Sequence, residues 1–197
     1  MKTLVYYCML CCTLLVCNTA YAQHYHAVVS NGESIQAAIE AAPQHPAEPY
    51  IILIKNGTYN EKVIIDRPNI VLLGENREKT RLVYAELTSK RSIKEYKGQS
   101  VGNGVIVLQE GADDCIISGM TVYNNYGSTV EETTAHQMAI YGRATRTIVI
   151  NCNVWADGND ALSLWAPDSN GMYYHADLDL RCPGVDFLCP RGWCYAT

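Results

Sequence analysis

Ile117-Ser118-Gly119-Met120-Thr121-Val122-Tyr123-Asn124 and Val149-Ile150-Asn151-Cys152-Asn153-Val154-Trp155-Ala156 read as one pattern written twice. Each starts on an aliphatic residue and continues into Val and an aromatic ring. A self-similar period of roughly 20–50 residues predicts stacked units, each covering the apolar face of the next. One coil of a parallel β-helix needs roughly 20–25 residues, and the step from Ile117 to Val149 is longer, so the surplus predicts an inserted loop. Composition places that loop at Tyr126 to His136. The predicted fold is therefore all-β, a parallel β-helix. An antiparallel sandwich is the alternative, but it wants tight Asn-Gly hairpins, and only Asn56-Gly57 offers one clearly.

The flanking chain agrees. Tyr50-Ile51-Ile52-Leu53-Ile54 is nearly all apolar, as a strand covered on both faces would be. Short strand-like runs follow around Tyr59 to Ile65, at Ile70-Val71-Leu72-Leu73, from Thr80 to Tyr84, at Val105 to Leu108, and at Cys115-Ile116-Ile117. Turns are expected at Asn56-Gly57 and at Asp66-Arg67-Pro68-Asn69. Ala85 to Asn103 is polar and Lys-containing and reads as a surface loop. One helix precedes the strands: Ile35, Ala38, Ile39 and Ala42 share a face, Asn31 or Ser34 can cap it, and Pro43 stops it.

Met1 to Ala22 reads as an export signal. Lys2 gives the positive start, Leu4 to Val16 the apolar run, and Ala20-Tyr21-Ala22 a small-x-small cleavage site. The run is too short for a stable membrane span. A lipid anchor on Cys17 is disfavoured by the bulky Val16 before it. Cleavage leaves 23–197, enough chain for one domain with a sizeable core. Among charged side chains only Lys2 is lost, so acidic residues outnumber basic ones further, and the basic face a nucleic-acid partner would need is lacking. The expected location is periplasmic, cell-surface or secreted.

Cys115, Cys152, Cys182, Cys189 and Cys194 remain after cleavage. Cys115 and Cys152 lie in apolar runs and read as buried thiols. Cys182, Cys189 and Cys194 cluster, and an oxidising compartment permits a disulfide among them. Structural zinc on these three is disfavoured, because no CxxC spacing or histidine pair accompanies them.

Two aspartates at strand ends stand out, Asp160 in Asn159-Asp160-Ala161-Leu162 and Asp186 in Gly184-Val185-Asp186-Phe187-Leu188. Taken singly they are ordinary turn residues. A carboxylate held by a rigid strand beside buried side chains can also serve as acid, base or nucleophile.

Several stretches together resemble the pectin methylesterase family. Ile35 to Pro43 resembles its N-terminal capping helix, Lys55 to Val63 its Gly-x-Tyr-x-Glu segment, and Pro68 to Glu75 the strand after it. His136-Gln137-Met138-Ala139-Ile140 resembles its Gln-Ala-Val-Ala-Leu strand, one residue short. Asn159-Asp160-Ala161-Leu162 resembles Gln-Asp-Thr-Leu, and Val185-Asp186-Phe187-Leu188 resembles Val-Asp-Phe-Ile-Phe-Gly. The resemblance implies a right-handed parallel β-helix with a short capping helix, and hydrolysis of galacturonate methyl esters of pectin. It implies Asp186 as nucleophile, Asp160 as general acid and base, and Gln137 as oxyanion donor, with Asn159 in place of a second oxyanion Gln. It also implies no metal and no cofactor, a monomer, and a pectic polysaccharide as partner, with no membrane partner.

The departures are specific. Asn159 is one methylene shorter than Gln. Pro167 to Tyr174 lengthens the segment between the two aspartates. The family's Gly-Arg-Pro-Trp motif is not found, and Arg191 and Trp193 have no alignment claim to replace it. The chain is therefore expected to be a C-terminally truncated member. Tyr126, Trp155, Trp165, Tyr173, Tyr174 and Trp193 are expected near the site, each more readily packed than touching sugar. Arg143, Arg146 and Arg181 are expected on solvated loops, and His136, with no nucleophile elbow beside it, reads as structural. Two other functions fit the same fold: a glycosidase or lyase on the pectic polymer, with Asp157-Gly158-Asn159-Asp160 as its acids, and an inactive polysaccharide-binding β-helix.

Overall fold

A computed structural model describes residues 24–87, 95–96, 99–100, 104–184 and 186–197. The expected signal segment, part of the Ala85 to Asn103 loop, and Val185 lie outside the described residues.

The first strand, β1 (Ala27–Val29), and the helix α1 (Ile35–Ala41) lead into successive coils. These are β2 (Tyr50–Ile54), β3 (Gly57–Tyr59) and β4 (Val63–Ile65); then β5 (Ile70–Gly74), β6 (Thr80–Tyr84) and, after the short β7 (Glu95–Tyr96) and β8 (Gln99–Ser100), β9 (Ile106–Leu108). β10 (Ile116–Ser118), β11 (Thr121–Asn124), the helical turn α2 (Tyr126–Thr129) and β12 (Ile140–Gly142) form the next coil. Last come the long β13 (Thr147–Ala156), β14 (Leu162–Trp165), β15 (Gly171–Arg181) and β16 (Leu188–Ala196). Every pairing described is parallel except that of β7 with β8. The chain is a parallel β-helix, and the sandwich is excluded. Among the described residues that short antiparallel pair is the departure from the surface loop expected there.

The repeat in the sequence is the physical register of the coils. Ile117 lies beside Val149 and Val122 beside Val154. Three sheets result: one runs β1-β2-β5-β10-β13-β15-β16, a second β3-β6-β11 and the far half of β13, and a third β4-β9-β12-β14 and the near half of β16. The first sheet bends into the second at Gly119, Asn151 and Asp177, all at positive φ (69°, 51° and 51°). That bend needs the left-handed region, which Gly enters freely and Asn or Asp tolerate, so the polar residue inside each apolar run is explained.

Stacked side chains fill the interior. Along one row Ile52, Leu72, Ile117 and Val149 are neighbours and fully buried. The next residue in that row is His175, also buried, and then Ala196, exposed. Neither imidazole nitrogen of His175 has a hydrogen-bond partner among the described residues, and burial pushes its pKa down to about 4. Cys115 and Cys152 are buried thiols as expected, pushed up to about 12 and about 11 by burial.

Helix α1 closes the N-terminal end and is held at both ends by charge. Ser34, not Asn31, is its cap: its Oγ accepts from the Ala37 amide at 3.1 Å. Glu61 accepts from the Ile35 amide and the Ser34 hydroxyl at 2.6 and 2.8 Å, placing an anion where the helix dipole is positive. At the other end Arg67, 1% exposed, donates to the carbonyls of Ala42 (2.6 Å) and Glu40 (3.3 Å) and to the Asp66 carboxylate (2.8 Å). The turn expected at Asp66 to Asn69 thus also supplies the cation that satisfies the helix's last carbonyls.

Candidate active site

Register brings the two aspartates together. Leu162 of β14 pairs with Leu188 of β16, and Asp160 and Asp186 each precede their strand by the same short step. The Leu162 amide donates to the Phe187 carbonyl at 3.1 Å, so the coils are still in step at this corner. A carboxylate oxygen of each aspartate and the Cys189 sulfur lie within 4.8 Å of one another. Asp160 is 3% exposed and Asp186 is exposed. The Ser163 hydroxyl, 3.3 Å from Asp160 Oδ2, donates to it, while Oδ1 is buried without a hydrogen-bond partner among the described residues. Asp160 sits at φ 46°, a left-handed conformation that Asp tolerates and that turns its carboxyl out of the strand direction.

Gln137 and Asn159 occupy the preceding position on adjacent coils. The Gln137 amide donates to the Asn159 carbonyl at 2.8 Å. The Gln137 side chain is fully buried. Its Oε1 accepts from the Gly127 amide (2.9 Å) and its Nε2 donates to the Thr133 carbonyl (2.8 Å), so it also anchors the inserted loop. A primary amide has two N–H groups, and the Thr133 carbonyl takes one of them. Asn159 lies under Gly184: a Cβ there would fall 1.1 Å from Asn159 Oδ1, so any larger residue just ahead of Asp186 would displace the Asn159 side chain.

His136 differs from the expectation. It is not a packed structural residue: its side chain is 55% exposed and its Nε2 stands 4.0 Å from Asp160 Oδ1. Nothing local in the sequence marks this, because Asp160 reaches it from the next coil.

A cleft of about 840 Å³ adjoins the pair, lined by Ser128 and Glu131 of the inserted loop, by Asp157, and by Arg181, Cys182 and Phe187 of the last coil. Neither Asp160 nor Asp186 lines it; Phe187, next to Asp186 in the chain, does. Arg181 lies over the Trp155 ring at 4.6 Å and is paired with Asp179. Arg143 pairs with Glu110, and Arg146 with Asp113 and Asp114. The aromatic expectation holds only in part. Trp165 donates to the Cys189 carbonyl at 2.9 Å and carries Arg191 on its face at 4.1 Å, and Tyr126 is buried in the loop. Tyr173, Tyr174 and Trp193 belong to the first sheet instead; Tyr174 stacks on Tyr195 and Trp193 is 78% exposed. Cys182, Cys189 and Cys194 are free thiols, Cys182 with its Sγ 3.9 Å from the Asp186 carbonyl. Burial, and then the Asp160 and Asp186 carboxylates, push the Cys189 thiol up.

The family described as Pectinesterase matches residues 26–187. The chain is 36% identical over 162 residues to probable pectinesterase 30 of Arabidopsis thaliana, covering 79% of this chain and 28% of that protein. It is 32% identical over 111 residues to pectinesterase A of Dickeya chrysanthemi, covering 53% of this chain and 30% of that one. In structure it resembles pectin methylesterase PemA from Erwinia chrysanthemi, with a TM-score of 0.63, 25% identity, and 80% of this chain set against 49% of that one. A pectin methylesterase in complex with hexasaccharide VII shares the fold, with a TM-score of 0.59 at 23% identity, covering 80% and 49% of the two chains. The chain thus spans under a third of the length of these two sequence relatives and about half of the solved structures. With the match running through the stacked coils and both aspartate corners, the chain belongs to the pectinesterase family.

Proposed function

We propose that this chain carries the reacting pair of an aspartyl esterase that hydrolyses galacturonate methyl esters of pectin to carboxylate and methanol. The observation that carries the reading is the approach of Asp160 and Asp186, a carboxylate oxygen of each within 4.8 Å of the other across adjacent coils. In this reading Asp186, the exposed member, attacks the ester carbonyl carbon. The carbonyl π-bond opens, and Gln137 and Asn159 donate to the oxyanion. Asp160 gives its proton to the departing methoxide, releasing methanol and leaving an acyl-enzyme anhydride. Asp160 then takes a proton from water as the water attacks that acyl carbon, and Asp186 leaves as carboxylate. The hexasaccharide in a related complex supports an extended sugar ligand for the cleft. The reaction needs no metal or cofactor.

Export by residues 1–22 belongs to the same proposal, since a polymeric wall substrate lies outside the cell. The test is methanol release from methylated pectin by the full chain. Asp186→Asn is expected to abolish it with the fold intact, and Gln137→Ala to lower kcat about 100-fold. Wild-type turnover by Asp186→Asn would remove that residue from the reaction, and a fall in polymer length without methanol would favour the glycosidase.

A further inference from the structure

Cys189 has no place in the ester chemistry, yet it faces both reacting carboxylates. Its sulfur and one oxygen from each of Asp160 and Asp186 lie mutually within 4.8 Å. Two hard oxygens and one soft sulfur converging on a point are a donor set suited to zinc-class cations. A second observation points the same way. Asp160 is only 3% exposed, and its Oδ1 has no hydrogen-bond partner among the described residues. A buried carboxylate oxygen left without a donor is costly, and a cation is one group that can satisfy it. A fourth donor stands beside that oxygen: His136 Nε2 is 4.0 Å from Asp160 Oδ1, on a side chain exposed enough to turn inward.

We infer that Asp160, Asp186 and Cys189, completed by His136, form a binding site for a thiophilic divalent cation of the zinc class. With Zn–O near about 2.0 Å and Zn–S near about 2.3 Å, tetrahedral donors stand about 3.5 Å apart, so the cluster needs to contract by no more than about 1.3 Å. The exposed Asp186 and the partly buried Cys189 belong to the last coil and can make that shift, while Asp160 stays fixed in the wall. The donors come from successive coils, His136 before β12, Asp160 before β14, and Asp186 with Cys189 at β16. Occupancy ties up both carboxylates, so the bound form cannot carry out the reaction proposed above. That consequence rests on the esterase reading; the binding itself does not.

The test uses no substrate, so its failure and the failure of the esterase reading are separate events. The reduced full chain is titrated with Zn²⁺ by calorimetry and with Cd²⁺ by ultraviolet absorption, which reports a thiolate-to-metal band. One-to-one binding with such a band is expected. Cys189→Ser should remove the band and weaken Zn²⁺ binding about 100-fold, and Asp160→Asn should weaken it about 10-fold or more. Cys182→Ser and Cys194→Ser should leave both signals unchanged, and circular dichroism keeps the variants comparable. A band that survives Cys189→Ser, or that is lost in Cys182→Ser or Cys194→Ser, overturns the site, as does absence of binding by the folded wild type.

Discussion

The two ends of the coil are built differently. At the N-terminal end α1 lies over the first strands, Glu61 and Arg67 hold its poles, and Ile35 and Ile39 are fully buried. At the other end β16 borders the stack, and Trp193 and Tyr195 are 78% and 66% exposed. Core quality falls along the same axis: the row Ile52, Leu72, Ile117, Val149 passes into a buried histidine and then an exposed alanine. The aspartate pair straddles this gradient. Asp160 belongs to a fully packed coil, and Asp186 to the looser one after it.

The contrast can be broken by experiment. The largest effect is expected at Arg67. Arg67→Met leaves the Asp66 carboxylate and the Ala42 carbonyl without their cation and should cost about 3 kcal/mol or more in urea unfolding. A loss below about 1 kcal/mol would mean the N-terminal clamp is ornamental.

Next comes His175. Its folded pKa, near 4, lies below the ordinary 6.5, so the unfolded chain binds more protons between those values. Stability is therefore fully present above pH 6.5 and drains away as pH falls toward 4, by up to about 3 kcal/mol. His175→Leu should flatten that acid limb in melts taken from neutral pH down to about 4 and raise stability by about 1 kcal/mol at neutral pH. An unchanged limb would place the imidazole in water.

Ser34→Ala should cost about 1 kcal/mol by removing the helix cap. Trp193→Ser, at the opposite end, should change stability by less than about 0.5 kcal/mol. If the serine and tryptophan variants lose equally, the two ends are not different in the way described.

The coil architecture is legible in the sequence because its information is local and repeated. The doubled pattern at Ile117 and Val149 is the β10–β13 and β11–β13 register, whereas the left-handed corners at Gly119, Asn151 and Asp177 emerge only from the backbone angles. The aspartate pair is legible through its motifs, and register explains why two residues so far apart along the backbone are still adjacent. What stays hidden depends on the coil above or below. Nothing beside Arg67 in sequence announces that it is buried under α1, nothing near His175 says that it continues an aliphatic row, and His136 meets Asp160 only across a coil. The family resemblance implies an oxyanion role for Gln137; that its amide also fastens the loop at Gly127 and Thr133 is a contact only the folded chain reveals.

One consequence of the β14–β16 pairing reaches past this chain. Hydrogen-bonded strands sit about 4.8 Å apart whatever joins them, so the sheet acts as a ruler with a single graduation. Residues 167–170 form an exposed turn that lengthens the path between the acids, and Gly171 to Tyr174 then rejoin the ladder as the start of β15, so the pairing of β14 with β16 still sets the spacing. A scaffold of this kind lets peripheral loops diversify freely, and confines lethal insertions to the few positions that would shift a strand by one step.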